Sequence, residues 1–140
     1  MQILSYKLEA IVGFNEESIE QFLTLCEDII YKMTADERVR YKVKSAVHEL
    51  VINSLEHGYK MKSGKISFSI RKAGDSLIIE FCDEGHGLDS SCINLGREIF
   101  DIESAPSRGW GLAITNKLFN KMEITPNKPS GTKISITIFT

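Results

Sequence analysis

Several features that would name a class of protein are missing from this 140-residue chain. No apolar run approaches the roughly 20 residues that span a bilayer. The opening stretch, MQILSYKLEAIVGF, is broken by Lys7 and Glu9 and so lacks the apolar core of a signal peptide. Charge of either sign is not in excess. Seventeen basic and 19 acidic side chains leave a net charge of −2, and with it no electrostatic footprint for DNA, RNA or an anionic membrane. Cysteine is sparse and unpaired in pattern: Cys26, Cys82 and Cys92 are an odd number without a CxxC, which predicts reduced thiols in a cytoplasmic protein, intermolecular pairing being the alternative. The three histidines are scattered, which argues against a zinc site. Neither a repeat, a linker nor a low-complexity tract divides the chain. What remains is a hydrophobic content of 42% and a charged content of 26%, ordinary for a globular protein. A single domain over residues 1–140 is expected, long enough to bury a core without disulfides or metals.

Periodicity supplies the elements. Residues 2–12 suit a strand, and residues 14–33 a helix with Ile19, Phe22, Leu23, Leu25, Cys26, Ile29 and Ile30 inward. Asn15 is the expected N-cap, with acids just after it at the helix's positive end. A break near Thr34–Asp36 leads into a second helix that runs to about His57 and is closed by Gly58. KISFSIR (65–71) and SLIIEFCD (76–83) alternate as strands around the turn AGD. Residues 84–108 are rich in glycine, serine and charge, and 109–120 read as a helix that opens on glycines. MEITP and GTKISITIFT close the chain as strands about the turn NKPSG. The pattern predicts an α/β (α+β) two-layer sandwich, a mixed sheet with helices on one face.

Within the second helix, Leu50, Val43, Ser54, Val47, Val51 and Leu55 fill one arc at about 100° per residue, and Glu49, Asn53 and His57 line its border. An acid, an amide and an imidazole there are expected to be neither fully solvated nor fully buried. Two familiar motifs fail: a zincin HExxH needs a histidine where Ile52 stands, and His48–Glu49 has no partner helix for phosphotransfer. Asp83 ends a strand in phase with Leu77, Ile79 and Phe81, so its carboxylate should point between sheet and helices, where it needs a donor. Gly85 and Gly87 follow it and allow close backbone approach. Gly109 and Gly111 open a helix whose free N–H groups suit an anion. GYKMKSGKI is one residue too long for a Walker A loop and carries Ile66 where Ser or Thr belongs, while Ser90 and Ile114 interrupt both candidate GxGxxG patterns.

Each signal is weak alone, but their order is specific. A helix with Glu49 and Asn53, then Asp83–Gly85–Gly87, then Gly109–Gly111, then Gly131–Thr132 resembles the successive boxes of the GHKL (Bergerat-fold) ATPases. The short lid, about residues 88–108, makes the chain most similar to the anti-sigma factor serine/threonine kinases. The resemblance implies cofactors ATP and Mg²⁺, with Asp83 accepting from the adenine amino group and Thr132 supporting that contact. It implies Asn53 as the metal ligand, Gly85, Gly87, Gly109 and Gly111 around the nucleotide, and Glu49 as general base. The implied partners are an anti-sigma factor antagonist, phosphorylated on Ser or Thr, and a sigma factor, with the chain a homodimer. The alternatives are a non-catalytic module that senses nucleotide, for which Glu49 would be dispensable, and a detached histidine-kinase catalytic domain, against which the short lid and missing dimerisation helices count. His57 is expected to face the helix's negative end, and Arg97, Arg108 and Trp110 have no assigned role.

Overall fold

The structure is a computed structural model and describes residues 4–85, 121–127 and 130–139. Its elements are β1 (Ser5–Val12), α1 (Glu16–Met33), α2 (Glu37–Asn53), a π-helical turn (Ser54–Gly58), β2 (Gly64–Ala73), β3 (Ser76–Asp83), β4 (Lys121–Pro126) and β5 (Thr132–Phe139). The expected helix at 109–120 and the lid at 88–108 lie outside the described residues, as do Gly87, Gly109, Gly111, Arg97, Arg108 and Trp110.

Local chemistry explains the helix limits. Asn15 caps α1 as predicted, its side-chain oxygen accepting from the Ser18 N–H at 2.8 Å, with Glu16 and Glu17 in the first turn. Asp36 caps α2 by accepting from the Arg38 and Val39 N–H groups at 2.9 and 3.3 Å. Three residues between the helices force them into an antiparallel hairpin. Both bury one stripe: Phe22, Cys26, Ile30 and Met33 from α1, and Val39, Val43, Ala46, Val47, Leu50 and Val51 from α2. Leu25 was expected inward but is 48% exposed, because it sits at the stripe's edge, one position before Cys26.

The sheet order is β1-β2-β3-β5-β4. All four described ladders are antiparallel, which corrects the mixed sheet expected from sequence. The reason is placement: β4 runs in the same direction as β3, but β5 inserts between them and pairs antiparallel with both. Alternation then sorts the faces. Ile66, Phe68 and Ile70, Leu77, Ile79 and Phe81, and Ile134, Ile136 and Ile138 join the helix residues in one core. The opposite face carries exposed and half-exposed ion pairs such as Lys7–Glu9, Lys65–Glu84 and Lys133–Glu80, pairs that contribute little to stability. No described helix is long and apolar enough to cross a membrane.

Candidate functional site

The strand alternation that buries Leu77, Ile79 and Phe81 carries Asp83 inward with them, leaving it 5% exposed at the end of β3. A carboxylate at that depth is costly unless it is hydrogen-bonded, and three donors converge on it. Oδ2 accepts from the Ser54 hydroxyl at 2.7 Å. Oδ1 accepts from the Gly85 N–H at 3.1 Å and from the Thr132 N–H at 3.2 Å. The Asp83 carbonyl accepts from the Asn127 amide at 2.8 Å. Two chain segments distant in sequence, the end of α2 and the start of β5, are thereby tied to one side chain.

Ser54 reaches Asp83 because the helix changes character there. From Ser54 to Gly58 the backbone winds as a π turn, a form that recurs at functional sites. Gly58 does not end the helix by adopting a left-handed conformation, as its position suggested; Lys60 and Met61 are the residues with positive φ, 52° and 64°. What Gly58 provides is proximity. A Cβ on it would lie 3.3 Å from Asp83 Oδ2. A Cβ on Gly85 would collide with the Gly58 backbone, and one on Gly131, whose φ is 107°, would collide with the Asp83 carbonyl. Gly58 thus lies beside the carboxylate, while Gly85 packs backbone against backbone on Gly58 and Gly131 does so on Asp83.

Asn53 stands immediately before this junction and, at 4% exposed, is buried and not at the half-wet border expected from sequence, because the helix end there is covered by the Ser54–Asp83 contact. Neither its Oδ1 nor its Nδ2 has a hydrogen-bond partner among the described residues. An unsatisfied buried polar group costs about 1–3 kcal/mol, so a side chain carrying two such atoms is poor structural design and a ready binding group. Glu49, one helical turn earlier, is half-buried, and His57 is exposed.

A profile of the histidine kinase-like ATPase domain matches residues 14–138, nearly the whole chain. The chain belongs to this family. Among curated relatives it is similar to an anti-sigma F factor of a Thermoanaerobacter species, 28% identical over 96 residues, covering 68% of this chain and 66% of that protein's length. It is similar as well to an anti-sigma F factor of Clostridium kluyveri, 26% identical over 122 residues, covering 87% of this chain and 81% of the relative. A crystal structure of the RsbU and RsbW domains of a Mycobacterium tuberculosis protein superposes with a TM-score of 0.63 at 20% identity, over 96% of this chain and 32% of that one. The chain thus spans about two thirds of the first of these relatives and about a third of the solved structure.

The expectation of a GHKL-type, histidine kinase-like ATPase domain is borne out. Of the residues expected to make its site, Asp83, Gly85 and Thr132 meet directly, and Asn53 adjoins them through Ser54. Glu49 lies on the same helix. Gly87, Gly109 and Gly111 fall outside the described residues. Sequence reasoning missed Ser54, assigned to the apolar arc; a serine inside a buried stripe was the available signal. Tyr59 was missed as well. Its ring lies against Gly64, where a Cβ would collide with it, and its hydroxyl donates to the Lys65 carbonyl and accepts from the Glu84 N–H at 2.6 Å. Burial pushes this phenol above its ordinary range, against the opposing pull of its bond from Glu84, so it keeps its proton at neutral pH.

Proposed function

We propose that this histidine kinase-like ATPase domain is an anti-sigma-factor-type serine/threonine kinase. On this reading it binds Mg·ATP, passes the γ-phosphate to a Ser or Thr of a small antagonist protein, and sequesters a sigma factor, working in the cytoplasm as a homodimer. The anti-sigma F factor relatives support the choice of subfamily. The single observation that carries nucleotide binding is the buried Asn53 amide, without a partner among the described residues, beside the Ser54–Asp83 hydrogen bond.

The donor chemistry fits the expected ligands. Asn53 Oδ1 is a neutral oxygen, suited to a hard divalent cation that keeps several waters. When bound, magnesium supplies charge neutralisation to the phosphate oxygens. Asp83 keeps acceptor capacity on Oδ2 beyond the Ser54 hydrogen bond, enough for an adenine amino group, and Thr132 braces Oδ1. Gly58 keeps a side chain away from that carboxylate, and Gly85 and Gly131 let the neighbouring backbones approach closely. Gly87, Gly109 and Gly111 are proposed for the rest of the nucleotide on the family resemblance alone. Glu49 takes the proton of the attacking seryl or threonyl hydroxyl.

The experiment pairs calorimetric titration of Mg·ATP with transfer of radiolabelled γ-phosphate onto a co-purified partner. Asp83→Asn is expected to weaken binding by roughly ten- to a hundredfold, the loss of a hydrogen bond to a charged acceptor. Glu49→Gln should bind normally and transfer about 10²–10⁴-fold more slowly. Transfer at an unchanged rate would remove Glu49 from the chemistry. No transfer by wild type to any partner it binds would point instead to a nucleotide-sensing module.

A further inference from the structure

The β2–β3 hairpin stops one rung early. Ala73 and Ser76 close its two-residue turn, so hydrogen-bonded pairs recur at every second position: Arg71 with Ile78, Ser69 with Glu80, Ser67 with Cys82. Lys65 with Glu84 is the next in that series, and there the Glu84 N–H should meet the Lys65 carbonyl directly. It does not. The Tyr59 hydroxyl stands between them, accepting from one and donating to the other. On its other side Glu84 is held by a side chain too, its carbonyl accepting from the Ser130 hydroxyl at 2.9 Å. A bridge through one hydroxyl stands where the direct ladder bond would be.

We propose that Tyr59 is a positioning residue for the nucleotide base: its hydroxyl wedges the last rung open and so sets Glu84 and Gly85 against Gly58 and the Asp83 carboxylate. The inference rests on the reading of Asp83 as the adenine acceptor and adds a residue which that reading does not contain. Three observations agree on the wedge. Gly64 leaves room for the ring, since any Cβ there would collide with it. The Lys65–Glu84 ion pair, 3.4 Å apart, shows that the two residues stay opposite one another on the outer face while the hydroxyl bridges their backbones. Gly85 lies so close to Gly58 that its position cannot shift without changing that contact, and its N–H is one of the two bonds that orient Asp83 Oδ1. Removing the hydroxyl lets Glu84 close directly on Lys65, drawing Gly85 away from the carboxylate.

Tyr59→Phe keeps the ring and removes only the wedge. Calorimetry of ADP and of ATP, each with Mg²⁺, should show both affinities reduced by the same factor, about five- to tenfold, the value of one hydrogen bond and its alignment. Equal loss for both is required because the base end is common to them. Amide exchange followed by NMR supplies the second readout. Gly85 should lose protection while Cys82, within the ladder, keeps its own. Unchanged affinity in the variant would overturn the inference while leaving the proposed function standing. Protection lost throughout the β2–β3 ladder would also overturn it, assigning Tyr59 to general stability. A wild-type protein that binds neither nucleotide would overturn both.

Discussion

The two ends of this sandwich use the same chemical parts for different purposes. At the far end, where α1 turns into α2, Asp36 accepts two backbone N–H groups in the open as a helix cap, and Gly74, φ 60°, turns the β2–β3 hairpin with nothing within 4 Å of where a Cβ would be. At the near end Asp83 also accepts two backbone N–H groups, but it is buried, takes a serine hydroxyl besides, and lies among glycines, of which Gly85 and Gly131 leave no room for a Cβ. The far glycine is needed for its φ alone; Gly85 is needed for the space it does not fill. Where a structural end is satisfied locally, the site end is satisfied by residues 29 and 49 positions away. Long-range satisfaction of a single carboxylate is what makes it a junction, able to sense the relative placement of helix, strand and turn.

Alanine at each glycine breaks the comparison open with the largest effect. Gly85→Ala must displace the Gly58 backbone or itself, and a misplacement of about 1 Å at a binding group can cost about a hundredfold. ATP affinity should fall by about that much. Gly74→Ala meets no neighbour and carries only the left-handed strain, about 1–2 kcal/mol of stability, with affinity unchanged. Chemical denaturation and calorimetry on the two variants separate the cases. Similar affinities in both would mean that the glycine contact at Asp83 is incidental.

Asn53→Leu tests the opposite kind of residue, one that the fold would do better without. The two side chains are similar in size, and the substitution removes two buried atoms that have no partner among the described residues. Stability should rise by about 1–3 kcal/mol while Mg·ATP affinity drops by about tenfold or more. A variant that loses stability would show that the Asn53 amide is satisfied in the folded protein, and the argument for a ligand there would fail.

Periodicity made most of this legible. The apolar stripes of α1 and α2 and the strict alternation of β2, β3 and β5 emerged because burial selects residue types at 3.6- and 2-residue spacing. The same phase argument aimed Asp83 inward correctly. Strand order was not legible: the insertion of β5 between β3 and β4 is a long-range choice that no local pattern records, hence the mistaken mixed sheet. The π turn was hidden for a related reason. Leu50, Ser54 and Leu55 fit a regular α-helical arc, and only the pull of Asp83 on Ser54 and the packing of Gly58 reveal the altered winding. Tyr59 read as a residue after a helix stop because its partners, Lys65 and Glu84, become neighbours only once the hairpin forms. The family boxes were readable as an ordered set, whereas the cross-links between them were not.

The smallest effect belongs to the far carboxylate, and it sharpens the comparison most cleanly. Asp36→Ala removes a helix cap whose two N–H donors then turn to water, since the cap residue is exposed. Such losses cost about 1 kcal/mol. Asp36→Asn should cost almost nothing, because an amide oxygen caps as well as a carboxylate. Neither change should alter ATP affinity, since Asp36 lies at the opposite end of the 17-residue helix from Asn53. At Asp83 the same Asp→Asn exchange is expected to cost roughly ten- to a hundredfold in affinity, because on the proposed reading the lost charge faces the adenine amino group as well as backbone donors. Urea titrations and calorimetry of the paired variants compare one chemical change at the two ends. If Asp36→Asn weakens nucleotide binding as much as Asp83→Asn does, the near carboxylate has no special relation to the ligand, and both act only through the stability of the fold.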